Sequence, residues 1–314
     1  MTDGRGRACG ALVLSILTIL LGAAAAVSGR QVFRGRTDLV VLNVTVSDAA
    51  GRLVPGLEQT EFQVFEDGVL QTVTNFTREP QPIALAILLD SSVSMESKLK
   101  TAQEAAIGFA KRLTSRDVAE IIDFDTYAQV LQTFTADADK LEAAIRRTEA
   151  GGSTALYNAL YIAFNEFKKE RARAPEEVRR HAVVVLSDGE DTSSVVSFDL
   201  VLDEAKRSEV MTYGIGIRPK ETGPGPTRAW NQAAFVLRTI SFETGGKSFT
   251  VEDSQSLPAI YDQIARELAN QYTLGYVSTN QKRDGAWRKI TVQMAPPDNR
   301  ARTKTGYFAP TTPR

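Results

Sequence analysis

The chain has 314 residues, 43% of them hydrophobic and 24% charged, with a formal net charge of −1. That length allows one large domain or two smaller ones with a full core, and the near-neutral charge offers no overall basic field for nucleic acid or an anionic membrane. The single cysteine, Cys9, precedes an apolar run at the amino end; a chain processed beyond it has no disulfide, thiolate nucleophile or cysteine metal ligand.

Arg5 and Arg7 stand before an apolar stretch, residues 11–21, and the small residues 22–26 follow. Charge, apolar core and small-residue site, in that order, describe a secretory signal peptide over residues 1–26. The expected location is therefore periplasmic or extracellular, without stable membrane insertion. An uncleaved anchor is the competing reading, because residues 11–27 nearly reach a bilayer span. Alanine and glycine in the second half favour cleavage.

Residues 31–80 read as an amino-terminal β segment. Residues 39–46 are β-branched and partly alternating, and Asp48-Ala49-Ala50-Gly51 supplies a turn. Residues 62–66 alternate strictly, and Asp67-Gly68 is a strong hairpin signal before a strand over 69–76. Asn43-Val44-Thr45 and Asn75-Phe76-Thr77 match a glycosylation acceptor, but threonine is common in strands and the pattern is short.

Pro80-Gln81-Pro82 marks a boundary, and residues 82–270 follow another rhythm. Apolar strands are expected at 83–90, 118–125, 181–188, 210–217 and 247–251, with an antiparallel edge strand at 128–134. Helices are expected at 95–113, 138–147, 155–171, 198–208, 231–244 and 257–270, and a loop at 219–226. This alternation predicts an α/β fold: a doubly wound, mostly parallel sheet with helices on both faces. Residues 271–314 return to β character, with strands at 272–278 and 287–294. The two β-rich ends are expected to pack together as a small module flanking the α/β unit.

Within that frame, oxygen-bearing side chains gather where strands end. The buried strand at 83–90 ends on Asp90, with Ser92 and Ser94 next at alternate positions. Gly151-Gly152-Ser153-Thr154 opens a helix with a hydroxyl, and Asp188-Gly189 ends another strand. In an open α/β sheet, ligands are held at the carboxyl ends of strands. Two carboxylates would neutralise a divalent ion while hydroxyls add coordination without charge, which suits Mg²⁺, with Mn²⁺ able to substitute. Such an ion, left electron-poor, favours an external carboxylate as its last ligand. The plainer reading makes Ser94 and Thr154 helix caps. Asp123, Asp125, Glu190 and Asp191 read as solvated carboxylates, and the sole histidine, His181, as structural.

Asp90-Ser91-Ser92-Val93-Ser94, Thr154 within Gly-Gly-Ser-Thr-Ala-Leu, and Asp188-Gly189 together resemble the metal-ion-dependent adhesion site of the von Willebrand factor type A domain. The resemblance spans roughly residues 82–275. It implies direct metal ligation by Ser92, Ser94 and Thr154, with Asp90 and Asp188 binding directly or through water. The flanking segments, with Phe62 to Gly68 and the terminal Gly306-Tyr307-Phe308, are similar to a bacterial, acidobacterial-type relative of these domains.

The expected function is thus an exported, metal-dependent binding module that grips an acidic group on a protein partner. Enzymatic readings have less support. An aspartyl phosphatase resembling the haloacid dehalogenase family shows an acid where Ser92 stands, and a serine hydrolase wants a histidine base. A third reading is a scaffold part of an envelope assembly with a structural ion.

Overall fold

The computed structural model describes residues 38–173, 175–218, 228–295 and 297–311. The expected signal segment and the loop at 219–226 lie outside these residues. In chain order the strands and helices begin with β1 (Leu39–Ser47), β2 (Phe62–Glu66), β3 (Val69–Gln71), β4 (Val73–Thr77) and β5 (Ile83–Asp90). Then come α1 (Leu99–Ala110), β6 (Val118–Phe124), β7 (Ala128–Thr135), α2 (Ala138–Ile145), α3 (Leu156–Arg173) and β8 (Arg180–Ser187). The chain continues through α4 (Phe198–Ser208), β9 (Met211–Ile217), α5 (Arg228–Thr244), β10 (Ser248–Val251) and α6 (Leu257–Ala269). It ends with β11 (Tyr272–Val277), β12 (Trp287–Met294), β13 (Arg300–Arg302) and β14 (Gly306–Phe308).

The central sheet has six strands in the order β10-β9-β8-β5-β6-β7. All neighbours are parallel except β7, which runs antiparallel to β6 at the edge. Every residue of β5 from Ala84 to Asp90 is buried, because helices cover both faces. On one face Leu85, Ile87 and Leu89 pack with α1 and α6; on the other Ala84, Ala86 and Leu88 pack with α3. Each fully buried leucine or isoleucine contributes about 1.5–3 kcal/mol. From β5 the chain winds first to β6 on one side and later to β8 on the other. The strand order therefore reverses at β5, and its carboxyl end is the switch point where such sheets hold ligands.

Strands from the two chain ends interleave in two antiparallel sheets, β13-β1-β11-β4 and β14-β12-β2-β3, each of four strands. Leu42, Val44, Phe62, Val64, Leu274 and Tyr276 fill the space between them. The strand expected at 69–76 is divided. β3 pairs with β2, whereas β4 pairs with β11 in the other sheet. At the break Gln71 is buried, donating from Nε2 to Thr279 Oγ1 at 3.0 Å and accepting the Thr279 N–H at 3.0 Å. This β assembly is tied to the α/β unit by buried Arg180, which donates to the Leu268 carbonyl at 3.1 Å and the Gln271 carbonyl at 2.8 Å.

Among the described residues, no helix is long and apolar enough to cross a membrane.

Candidate functional site

Asp90 closes β5 with no solvent exposure. Its Oδ1 accepts the Ser92 N–H at 2.9 Å, and its Oδ2 accepts the Ser187 hydroxyl at 2.5 Å. Burial outweighs these bonds and pushes its pKa from 3.8 up to about 6, with the nearby Asp188 charge adding to the rise. The carboxylate is fixed in place at an electrostatic cost that a cation would offset.

A 3₁₀ turn, Val93–Met95, then carries the serines around the strand end. Ser92 Oγ lies 3.1 Å from Ser94 Oγ, and Ser94 Oγ donates to Asp188 Oδ1 at 2.6 Å. Backbone bonds stitch this turn to the glycine pair: the Gly151 N–H donates to the Ser91 carbonyl at 2.7 Å, and the Val93 N–H to the Gly152 carbonyl at 3.3 Å. Gly152 sits at φ +67°, where an added Cβ would meet Thr126 Oγ1 at 2.4 Å, so this turn requires glycine.

Thr154 is buried next to this turn, its N–H donating to Thr192 Oγ1 at 3.0 Å. Its hydroxyl and that of Ser94 both face Gly189: a Cβ there would stand 3.6 Å from Thr154 Oγ1 and 3.9 Å from Ser94 Oγ. Neither hydroxyl is needed as a helix cap. The first N–H groups of α3 are served instead by Asp191 Oδ1, at 3.0 Å from Tyr157 N, and Ser194 Oγ, at 2.9 Å from Asn158 N. The structure thus brings Asp90, Ser92, Ser94, Thr154 and Asp188 to one end of the sheet.

Two residues depart from their expected roles, and a third takes a role that had no expectation. Asp191 is a helix cap rather than a solvated carboxylate, because the loop after β8 folds back over the start of α3. Asp123 is buried instead of solvated, and its pKa is raised by that burial. Lys98, not anticipated at all, reaches in from the turn before α1. It is ion-paired with Asp188 Oδ2 and donates to the Ser94 carbonyl at 3.2 Å. Its place four residues after Ser94 was the available signal, since one helical turn brings such positions together.

His181 lies at the start of β8, the far end of that strand from Asp188. It packs on Phe167 and sits 3.3 Å from Glu170, and burial depresses its pKa to about 4.

The von Willebrand factor type A domain model matches residues 84–263, more than half of the chain. A UPF0353 protein of Nocardia farcinica (strain IFM 10152) is 25% identical over 237 residues, covering 65% of this chain and 69% of its own. Among solved structures, a von Willebrand factor type A protein from Catenulispora acidiphila superposes with a TM-score of 0.50 at 14% identity, over 89% of this chain and 76% of its own. An aerotolerance-related membrane protein from Bacteroides fragilis NCTC 9343 gives 0.45 at 20% identity, over 59% of this chain and 98% of its own. At these identities the structural likeness concerns the fold alone. The extent of the family match makes this chain a member of the von Willebrand factor type A domain family.

Proposed function

We propose that the cluster holds a divalent cation, Mg²⁺ with Mn²⁺ as a substitute, through which the protein grips an acidic side chain of a protein partner. The observation that carries this reading is the donor set. Two buried carboxylates and two serine hydroxyls share one bonded cluster, and Thr154 Oγ1 faces the same side-chain-free face of Gly189. All are hard oxygen donors, the chemistry Mg²⁺ selects.

Ser92, Ser94 and Thr154 would bind the ion directly, and Asp90 and Asp188 directly or through water. A bound ion supplies an electrophilic centre for a partner's carboxylate. The chain's own residues do the rest: Ser187 and the Ser92 N–H hold Asp90 in place, and the Gly151–Gly152 backbone fixes the serine turn. Val93, 60% exposed between the two serines, offers the partner an apolar contact beside the site. A binding role fits these residues better than catalysis, since His181 stands at the other end of β8. Export follows from the amino-terminal charge and apolar pattern.

Calorimetric titration of the full chain with Mg²⁺ tests the metal. One ion bound per chain is expected, with binding lost in Ser94→Ala and Asp188→Ala. A peptide carrying a single glutamate should then bind in Mg²⁺ and not in EDTA, and its glutamine counterpart in neither. Absence of Mg²⁺ and Mn²⁺ uptake by the folded protein would overturn the reading.

A further inference from the structure

A second concavity lies at the opposite end of the central sheet. It is a groove of about 600 Å³ between the last turns of α6 and the end of β1, with Lys247, just before β10, at its edge. Arg52, Lys247, Arg266 and Arg302 line it, against one carboxylate, Glu267. Glu267 is already engaged, by Arg302 and by the Tyr213 hydroxyl at 3.1 Å. Arg52 is held by Asp48 at 2.7 Å. Lys247 and Arg266 have no carboxylate partner among the described residues.

A neighbouring cavity of about 360 Å³ shows what a compensated lining looks like. There Lys206 pairs with Glu243 at 3.3 Å, Lys304 with Glu209 at 3.1 Å, and Arg179 with Glu177. The groove under α6 differs in keeping two cations, Lys247 and Arg266, without a carboxylate partner among the described residues. Lys247 is exposed, with its ammonium 5.0 Å from the centre of the Phe249 ring. Desolvation and the Arg302 charge both depress its pKa. Cations gathered without counter-charge cost free energy that an anion would offset. Arginine offers forked donors suited to carboxylate and phosphate oxygens. The hydroxyl of Ser47 and the amide of Gln263 line the same groove and add neutral donors.

We propose that this groove binds a small organic dianion through carboxylate or phosphate oxygens. Its volume suits a metabolite-sized molecule, and its two uncompensated cations match a charge of −2. The site is separate from the serine and aspartate cluster and needs no metal.

The test is titration of the full chain in EDTA with glycerol phosphate and with succinate, at constant ionic strength set by chloride. One of the two should bind above the chloride background and raise the melting temperature, and the tighter binder identifies the phosphate or dicarboxylate source. Lys247→Gln and Arg266→Gln should each weaken that binding by about tenfold, and the double variant should abolish it. Lys100→Gln with Lys289→Gln, which removes equal charge elsewhere, should leave it unchanged. Failure of both anions to bind beyond chloride overturns the proposal. So does undiminished binding by a folded double variant.

Discussion

Lys98 Nζ is ion-paired with Asp188 Oδ2, so an internal ammonium neutralises one of the two carboxylates of the candidate site. The Asp188 side chain is fully buried and that of Lys98 is 21% exposed. Any divalent ion drawing on Asp188 therefore competes with this lysine. Lys98→Met should destabilise the metal-free protein by about 1–3 kcal/mol, less than a fully buried pair because the lysine is partly solvated. The same variant should bind Mg²⁺ roughly tenfold more tightly, equivalent to about 1.4 kcal/mol. Urea unfolding in EDTA and calorimetry with Mg²⁺ measure the two effects. Unchanged Mg²⁺ affinity would mean that the ammonium and the ion do not share Asp188.

Gly189 tests the other wall. A methyl group there would lie in ordinary contact with Thr154 Oγ1 and Ser94 Oγ, at 3.6 and 3.9 Å, so Gly189→Ala should fold within about 0.5 kcal/mol of the parent. It would, however, fill the face toward which both hydroxyls point. Weaker Mg²⁺ binding at unchanged melting temperature in EDTA is expected. Equal affinity would detach Thr154 and Ser94 from the ion.

Residues whose role follows from local pattern were legible in the sequence. The apolar runs ending at Asp90 and Ser187 read as buried strands because nothing polar interrupts them. The alternate hydroxyls at Ser92 and Ser94 and the Gly151–Gly152 pair marked the turns beside Asp90 and Thr154. Roles set by distant parts of the chain were hidden. Asp191 caps α3 from beyond β8, across 34 positions, and Gln71 finds Thr279 across 208. A charged lysine at the start of a helix looks like a solvated side chain until a buried carboxylate is placed against it. Asp123 looked exposed because strand ends usually are, but here it is buried with Ser91 and Gln129 against it.

The β assembly carries its own buried ion pair. Arg288 and Glu66 are 3.2 Å apart with side chains 3% and 2% exposed, and Glu66 also accepts from the hydroxyls of Tyr276 and Ser278 at 2.8 and 2.6 Å. Arg288→Met leaves that carboxylate buried without its cation and should cost about 3–5 kcal/mol. Adding Glu66→Gln should restore part of the loss, because the remaining group is neutral and keeps its hydroxyl donors. Urea denaturation of the two single variants and the double variant gives the coupling directly. Additive losses would show that the pair does not act as a unit.

Glu120 carries a pH signature between the acid range and pH 9. It sits on β6 with no solvent exposure, and neither carboxyl oxygen has a hydrogen-bond partner among the described residues. Burial first, then the charges of Glu166 and Glu170, push its pKa from 4.5 up to about 9, against a smaller opposing pull from Lys169. The folded protein therefore carries this acid protonated at neutral pH, whereas the unfolded chain ionises it. Because the folded pKa is the higher one, its contribution to stability is complete below pH 4.5 and is lost as pH rises through about 9. Glu120→Met removes the ionisation while keeping similar volume. Its stability relative to the parent should climb by up to about 1.4 kcal/mol per pH unit across that window. Urea unfolding of both proteins at intervals from pH 5 to 9 measures the slope, with the parent falling away from the variant toward alkaline pH. Parallel curves would mean that Glu120 is ionised in the folded state and compensated by Lys169.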